Sequence, residues 1–220
     1  MAKLRDSFFA QFAHPRGALG WLVGHLMAWK NGERSRWAID LLSPRPGEKV
    51  LEVGFGPGVD LQRLLRRVGD RGFVAGVDIS NEMVRQARAR NRAAVAAQRA
   101  RIELGSPESL PFGDGMFDAI YSSNSAQFWP DLPRAIEELQ RVLSPSGRLF
   151  VVVQPMWPGA TKADTDRWEE KLVGAMRAAS FADVKAVQKA MPPAPATCAI
   201  ALREVDRDAQ DGRLAGSAGR

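Results

Sequence analysis

Apolar positions along this chain switch repeatedly between two spacings. Val50, Leu51 and Val53 supply an apolar run like that of a strand covered on both faces, and it stops at Gly54, Gly56 and Gly58. Val59, Leu61, Leu64, Leu65 and Val68 then recur at helical spacing until Gly69 to Gly72 ends the pattern. A second strand, Phe73 to Val77, delivers Asp78, and Asn81 to Ala97 reads as one helix before a short third strand at Ile102 to Leu104. Phe117 to Tyr121 is the fourth strand. Asp131 caps the next helix, with Pro133 in its first turn and Ala135, Ile136, Leu139, Val142 and Leu143 as its apolar stripe. Glu137 and Glu138 read as solvated charges on that helix. Ser144 to Gly147 predicts a turn into a buried strand at Arg148 to Val153, followed by a helix from Thr161 to Ser180. Phe181 to Val187 and Thr197 to Leu202 are the last strands, separated by a proline-rich turn. Strands alternating with helices predict an α/β chain.

The ends of the chain differ from this middle. Residues 1–46 carry Phe8, Phe9, Phe12, Trp21, Trp29 and Trp37, too much apolar matter for a tail, and predict a helical cap broken at His14-Pro15. A helix within it ends near Leu42. Residues 47–205 hold the strand and helix pattern, while 206–220 are polar and glycine-rich and are expected to be disordered.

The chemistry concentrates in the glycine loop. A dinucleotide fingerprint spaces its glycines G-x-G-x-x-G, whereas here the last glycine comes one residue early and Val59 takes its slot. Glu52, two residues before the first glycine, would repel a pyrophosphate but suits a cationic ligand. S-adenosylmethionine, with its ammonium and sulfonium, is such a ligand. A plain strand-to-helix turn is the bland alternative. The stretch Glu52-Val53-Gly54-Phe55-Gly56-Pro57-Gly58, with Leu110-Pro111-Phe112, Phe117-Asp118 and Arg141 to Gly147, resembles the motifs of the Rossmann-like S-adenosylmethionine-dependent methyltransferases, closest in style to the small bacterial UbiE-like group.

That resemblance, over about residues 47–203, implies a seven-stranded, mostly parallel sheet with helices on both faces and an antiparallel last strand. It implies S-adenosylmethionine as cofactor, held by Glu52, Gly54, Phe55, Gly56 and Gly58. Asp78, twenty residues after Gly58, is placed to accept from both ribose hydroxyls, with Ile79 and Met83 as apolar faces for the adenine. Where the family usually has an aspartate for the adenine amino group, this chain has Ser106 and then Pro107, which lacks an N–H. Adenine recognition falls to Ser106, to the backbone around Glu108 or to water.

Ser122 to Trp129 follows the fourth strand, at the carboxyl end where open α/β sheets place ligands. Ser123 and Asn124 are candidates for the cofactor, Asn124 and Gln127 for the acceptor, and Phe128 and Trp129 for the pocket wall. No Asn/Asp-Pro-Pro-aromatic tetrapeptide occurs there, which favours a small-molecule acceptor over a nucleic-acid base. His25 is a third catalytic candidate, weighed against an ordinary structural histidine, as is His14. No spacing suits a metal ligand set.

Composition adds limits. A 220-residue chain that is 45% hydrophobic supports one sizeable core. Its single cysteine, Cys198, and the lack of a leader point to a reducing cytoplasm, and no apolar run spans a bilayer. The net charge of +6 and the arginines at 85, 88, 90, 92, 99 and 101 raise RNA or peripheral contact with a membrane as an alternative, against an ordinary solvated helix. Three readings follow: a methyltransferase for a small, partly apolar molecule, one acting on RNA or membrane lipid, and a cofactor-binding protein without catalysis.

Overall fold

The two-sided apolar run at Lys49–Val53 becomes β1, a central strand in the computed structural model, which describes residues 32–204. Before it comes α1 (Gly32–Leu42). After it come α2 (Val59–Val68), β2 (Phe73–Asp78), α3 (Asn81–Arg90), α4 (Arg92–Ala96), β3 (Ala100–Leu104), β4 (Phe117–Ser123) and a 3₁₀ turn at Ala126–Phe128. Then α5 (Leu132–Val142), β5 (Leu143–Val153), α6 (Lys162–Ala178), β6 (Ala182–Lys189) and β7 (Ala196–Leu202) complete the described chain. The sheet order is β3-β2-β1-β4-β5-β7-β6. β1 to β5 pair in parallel and β7 runs antiparallel to both of its neighbours, as expected of the last strand.

Side chains alternate across a strand, so each strand feeds two cores. Leu51, Val53, Ala75 and Val77 face the cluster completed by α5 and α6. Val50 and Val74 face the opposite cluster, where Leu61, Leu64 and Val68 of α2 and Val84 and Ala87 of α3 pack. Ala38, Ile39 and Leu42 of α1 join this second cluster, so part of the segment expected as a cap lies on the sheet. Residues 1–31 and 205–220, including the rest of that segment, His14, His25 and the expected disordered tail, lie outside the described residues. Among the described residues no helix is long and apolar enough to cross a membrane.

Three local expectations need correction. The helix expected over Asn81–Ala97 is broken at Asn91, which leaves helical geometry at φ −105°, ψ 21°. Its buried side-chain N–H groups donate to Ala87 O (2.9 Å) and Gly58 O (3.0 Å), and this tertiary anchor outweighs the helix propensity of the following alanines. Ser144–Gly147, expected as a turn, lies inside β5, where Ser146 has φ 64° and the register with β4 shifts. Glu138 is not a solvated charge. It accepts from Leu110 N–H (2.8 Å) and from Arg141, whose guanidinium also reaches Leu110 O and Phe112 O.

The arginines of the basic stretch are mostly committed locally. Arg85 pairs with Glu82, Arg88 donates to Ile102 O, and Arg90 donates to Pro57 O (2.9 Å). Arg99 donates to Gly69 O, and Arg101 pairs with Glu103 while lying 5.1 Å over the Phe112 ring.

Candidate active site

Strand order reverses between β1 and β4, so the loops leaving their carboxyl ends diverge and leave a crevice there. The loop after β1 is shaped by its glycines. Gly54 takes φ 76°, and a Cβ on it would lie 2.0 Å from Ser125 Oγ, so the loops after β1 and β4 touch only because Gly54 has no side chain. Gly56 takes φ 53° with nothing within 4 Å of a notional Cβ, which leaves open space above the loop. Asp78, at the end of β2, accepts from Gly56 N–H (2.9 Å) and Ser80 N–H (2.9 Å), one oxygen each. The strand-end carboxylate thus braces the glycine loop, while remaining half-buried beside that open space.

Beneath the loop lies a buried polar cluster whose members come from four elements. Glu52 of β1 is 3% exposed, and its Oε2 has no hydrogen-bond partner. Burial, with Asp60 and Asp78 nearby, pushes its carboxyl well above the usual carboxylate range, and Arg63 opposes the shift. Asp60 of α2 pairs with Arg63 and accepts from the Tyr121 hydroxyl of β4 (3.1 Å). Burial and the charges of Asp60 and Glu52 raise the Tyr121 phenol well above its ordinary value, so it stays a neutral donor. Arg34 of α1 enters the same region at 2% exposure and donates to Gln154 Oε1 (2.9 Å) and Ser123 Oγ (3.3 Å). Burial lowers the affinity of its guanidinium for the proton, against Tyr121 and Asp60.

The sequence pointed to Glu52 and Ser123 but missed Arg34, Asp60, Tyr121 and Gln154. Arg34 and Gln154 are 120 positions apart, so no local spacing announces their contact. Asp60 reads as an ordinary first-turn acid of α2. Tyr121 reads as one more apolar strand position.

The expected adenine side is only partly assembled from the residues named for it. Ile79 is 43% exposed after β2, but Met83 is buried in the core between α3 and the sheet, so it walls no open space. Phe55 is likewise core, its ring filling the gap that Gly76 leaves: a Cβ there would lie 2.6 Å from it. Phe55 therefore contributes backbone, not a side chain, to the loop. Ser106 accepts from Glu108 N–H (3.3 Å) and Pro107 is buried. The Glu108 carboxylate accepts from Asp131 N–H (2.8 Å), joining this turn to the start of α5.

On the acceptor side, Asn124 adopts φ 51° and spends its amide on Gln154, donating to its O (3.1 Å) and accepting from its N–H (2.6 Å). It positions the ends of β4 and β5, and its amide keeps a second N–H and a second lone pair. Gln127 differs: its Oε1 is buried without a partner, beside a cavity of about 310 Å³ that Trp129, Trp168 and Lys171 also line. Trp129 donates its indole N–H to Ser125 Oγ (3.0 Å), and Phe128 is 43% exposed. Among the described residues no three His, Cys, Asp or Glu side chains are grouped to hold a metal ion.

Comparison with known proteins fits this geometry. A family model described as a methyltransferase domain matches residues 50–147. The uncharacterized methyltransferase YdaC of Bacillus subtilis is 31% identical over 182 residues, which cover 83% of this chain and 98% of that protein. The ubiquinone/menaquinone biosynthesis C-methyltransferase UbiE of Vibrio cholerae is 34% identical over 117 residues, 53% of this chain and 45% of its own length. A crystal structure of a SAM-dependent methyltransferase from Aquifex aeolicus shares the fold with TM-score 0.63 at 19% identity, covering 76% of this chain and 88% of that one.

Proposed function

The chain belongs to the class I S-adenosylmethionine-dependent methyltransferases, and from that premise we propose that its methyl acceptor is a small, partly apolar molecule. One observation carries this reading. Of the six large hydrophobic side chains exposed among the described residues, Ile79, Leu104, Phe128, Met156 and Trp157 end or follow β2, β3, β4 and β5 at the carboxyl edge of the sheet. An apolar rim around the crevice matches an apolar body and an attacking atom directed inward. The UbiE relative, by its name, acts in ubiquinone and menaquinone biosynthesis, but this chain spans under half of its length.

Two features support the fit of the cofactor to this site: the orphaned Glu52 Oε2 and the open space over Gly56. When bound, S-adenosylmethionine supplies a methyl group activated by a sulfonium for in-line displacement. In this proposal Glu52, Asp60 and Asp78 provide negative potential for the cationic methionine part, and Asp78 keeps the Gly56 backbone in place while offering its carboxylate to the ribose. Ile79 offers an apolar face to the adenine, Ser106 and Glu108 its polar edge. Asn124 and Gln154 fix the β4 and β5 ends against which the acceptor rests, and Gln127 keeps an acceptor oxygen for it. Arg34, reaching in from α1, ties that helix to this edge, and we assign the expected cap to shaping the acceptor pocket. Alignment and exclusion of water are then most of the task.

An acceptor on RNA or a lipid surface fits less well, because most arginines of the basic stretch are paired or spent on backbone carbonyls. The test is transfer of labelled methyl from S-adenosylmethionine across parallel sets of small apolar acceptors, RNA and anionic vesicles. Transfer to small molecules with shallow salt dependence is expected. Labelling of RNA or vesicle lipid alone, falling steeply with salt, would overturn the proposal.

A further inference from the structure

A second cavity, of about 490 Å³, lies between the C-terminal half of α2 and the α3–α4 break, and shares no residue with the crevice described above. Its floor is apolar, formed by Leu65 with Ala93, Ala94 and Ala97. Four arginines line it, 66, 90, 92 and 99, against one acid, Asp70.

These arginines are not equivalent. Arg90 is held by Pro57 O, and Arg99 by Gly69 O and by Asp70, whose own side chain is fully exposed. Arg66 and Arg92 face the same cavity from α2 and α4 with no ion pair or hydrogen bond among the described residues. Two further polar atoms are orphaned and buried at the wall: Arg99 Nε, a donor, and Asn91 Oδ1, an acceptor on a side chain whose N–H groups are both used. Leaving two buried polar atoms unpaired beside a cavity is costly unless something fills it. An occupant must bring negative charge for Arg66 and Arg92, an acceptor for Arg99 and a donor for Asn91. Arginine forks favour phosphate, whose several oxygens take more than one guanidinium at once.

We propose that this cavity is a binding site for a phosphate-bearing ligand that also carries a hydroxyl or amine donor and a small apolar portion. The phosphate sits between Arg66 and Arg92, the donor meets Asn91 Oδ1, and the apolar portion lies on the alanine floor. A soluble phosphorylated metabolite and a lipid headgroup both have this chemistry.

Calorimetric titration of inorganic pyrophosphate into the full chain in chloride buffer tests the site. Saturable binding is expected, weakened about tenfold for each arginine removed in Arg66→Ala and Arg92→Ala, the value of one charge-assisted hydrogen bond. Arg134→Ala, an exposed arginine on α5, should bind as the wild type does. All three are surface changes, so folding is preserved and checked by unchanged unfolding curves. Competition from phosphatidylcholine vesicles containing phosphatidic acid, and none from pure phosphatidylcholine, identifies a headgroup. Competition only from glycerol phosphate identifies a soluble ligand. Absence of saturable pyrophosphate binding, or an equal loss in Arg134→Ala, would overturn the proposal.

Discussion

Asp78 joins two tasks in one side chain, because the carboxylate proposed for the ribose also accepts the Gly56 and Ser80 N–H groups. Asp78→Ala is therefore expected to weaken S-adenosylhomocysteine binding by about 1.5–3 kcal/mol, from the lost charged acceptor, with a further loss if the glycine loop relaxes. Calorimetry reads the affinity, and an unchanged value would leave Asp78 as a brace only. Tyr121 offers the opposite case. Its hydroxyl donates to buried Asp60, so Tyr121→Phe should cost about 1–3 kcal/mol of stability by leaving that oxygen short of a donor, measured by urea unfolding. The glycines, Glu52 and Asp78 were legible in the sequence because their spacing along one strand, loop and strand is itself the signal. Arg34, Asp60, Tyr121 and Gln154 were not, since each looks ordinary in its own element and acquires meaning only through a partner dozens of positions away.

The elements with strong periodicity, β1, α2, β2 and α5, form where their patterns put them, within a residue or so. The failures share a cause. Asn91 breaks the expected long helix because its amide anchors to Gly58 O across the α2–α3 contact, and no propensity scale contains that contact. Glu138 looks like a surface charge on α5 but holds the Leu110–Asp114 loop through Leu110 N–H and Arg141. These bonds hold its carboxyl below the usual carboxylate range, with Arg141 the largest cause. A lowered folded-state value gives a contribution that is full above the unfolded carboxylate range, about 4.3, and is lost as pH falls through the lowered value. Glu138→Gln is expected to destabilise the protein by about 1–3 kcal/mol at neutral pH, and the gap from wild type should shrink in acid. Denaturant unfolding at neutral and acid pH checks both parts.

At the scale of the whole molecule, the cofactor role proposed for Glu52 would couple the fold to the ligand through the acidic cluster. Burial and two neighbouring acids raise the Glu52 carboxyl, so between the unfolded carboxylate range and that raised value the native state holds a proton that the unfolded chain has released. Stability without ligand then falls as pH rises through this window, the opposite sense to Glu138, and levels off above it. A bound cation beside Glu52 favours the ionised form, which moves its value down and makes S-adenosylmethionine bind more tightly as pH rises over the same window. In the proposed role of Glu52, stability when empty is given up for affinity when occupied. Glu52→Gln separates the two effects, since it keeps the shape and removes the charge. The variant should be more stable than wild type at neutral pH without ligand, lack that part of the pH dependence, and gain less from saturating S-adenosylhomocysteine, which keeps the ammonium. Thermal unfolding of both proteins across pH, with and without ligand, decides it. A variant that is less stable when empty and equally stabilised by ligand would show that Glu52 is a structural acid with no part in holding the cofactor.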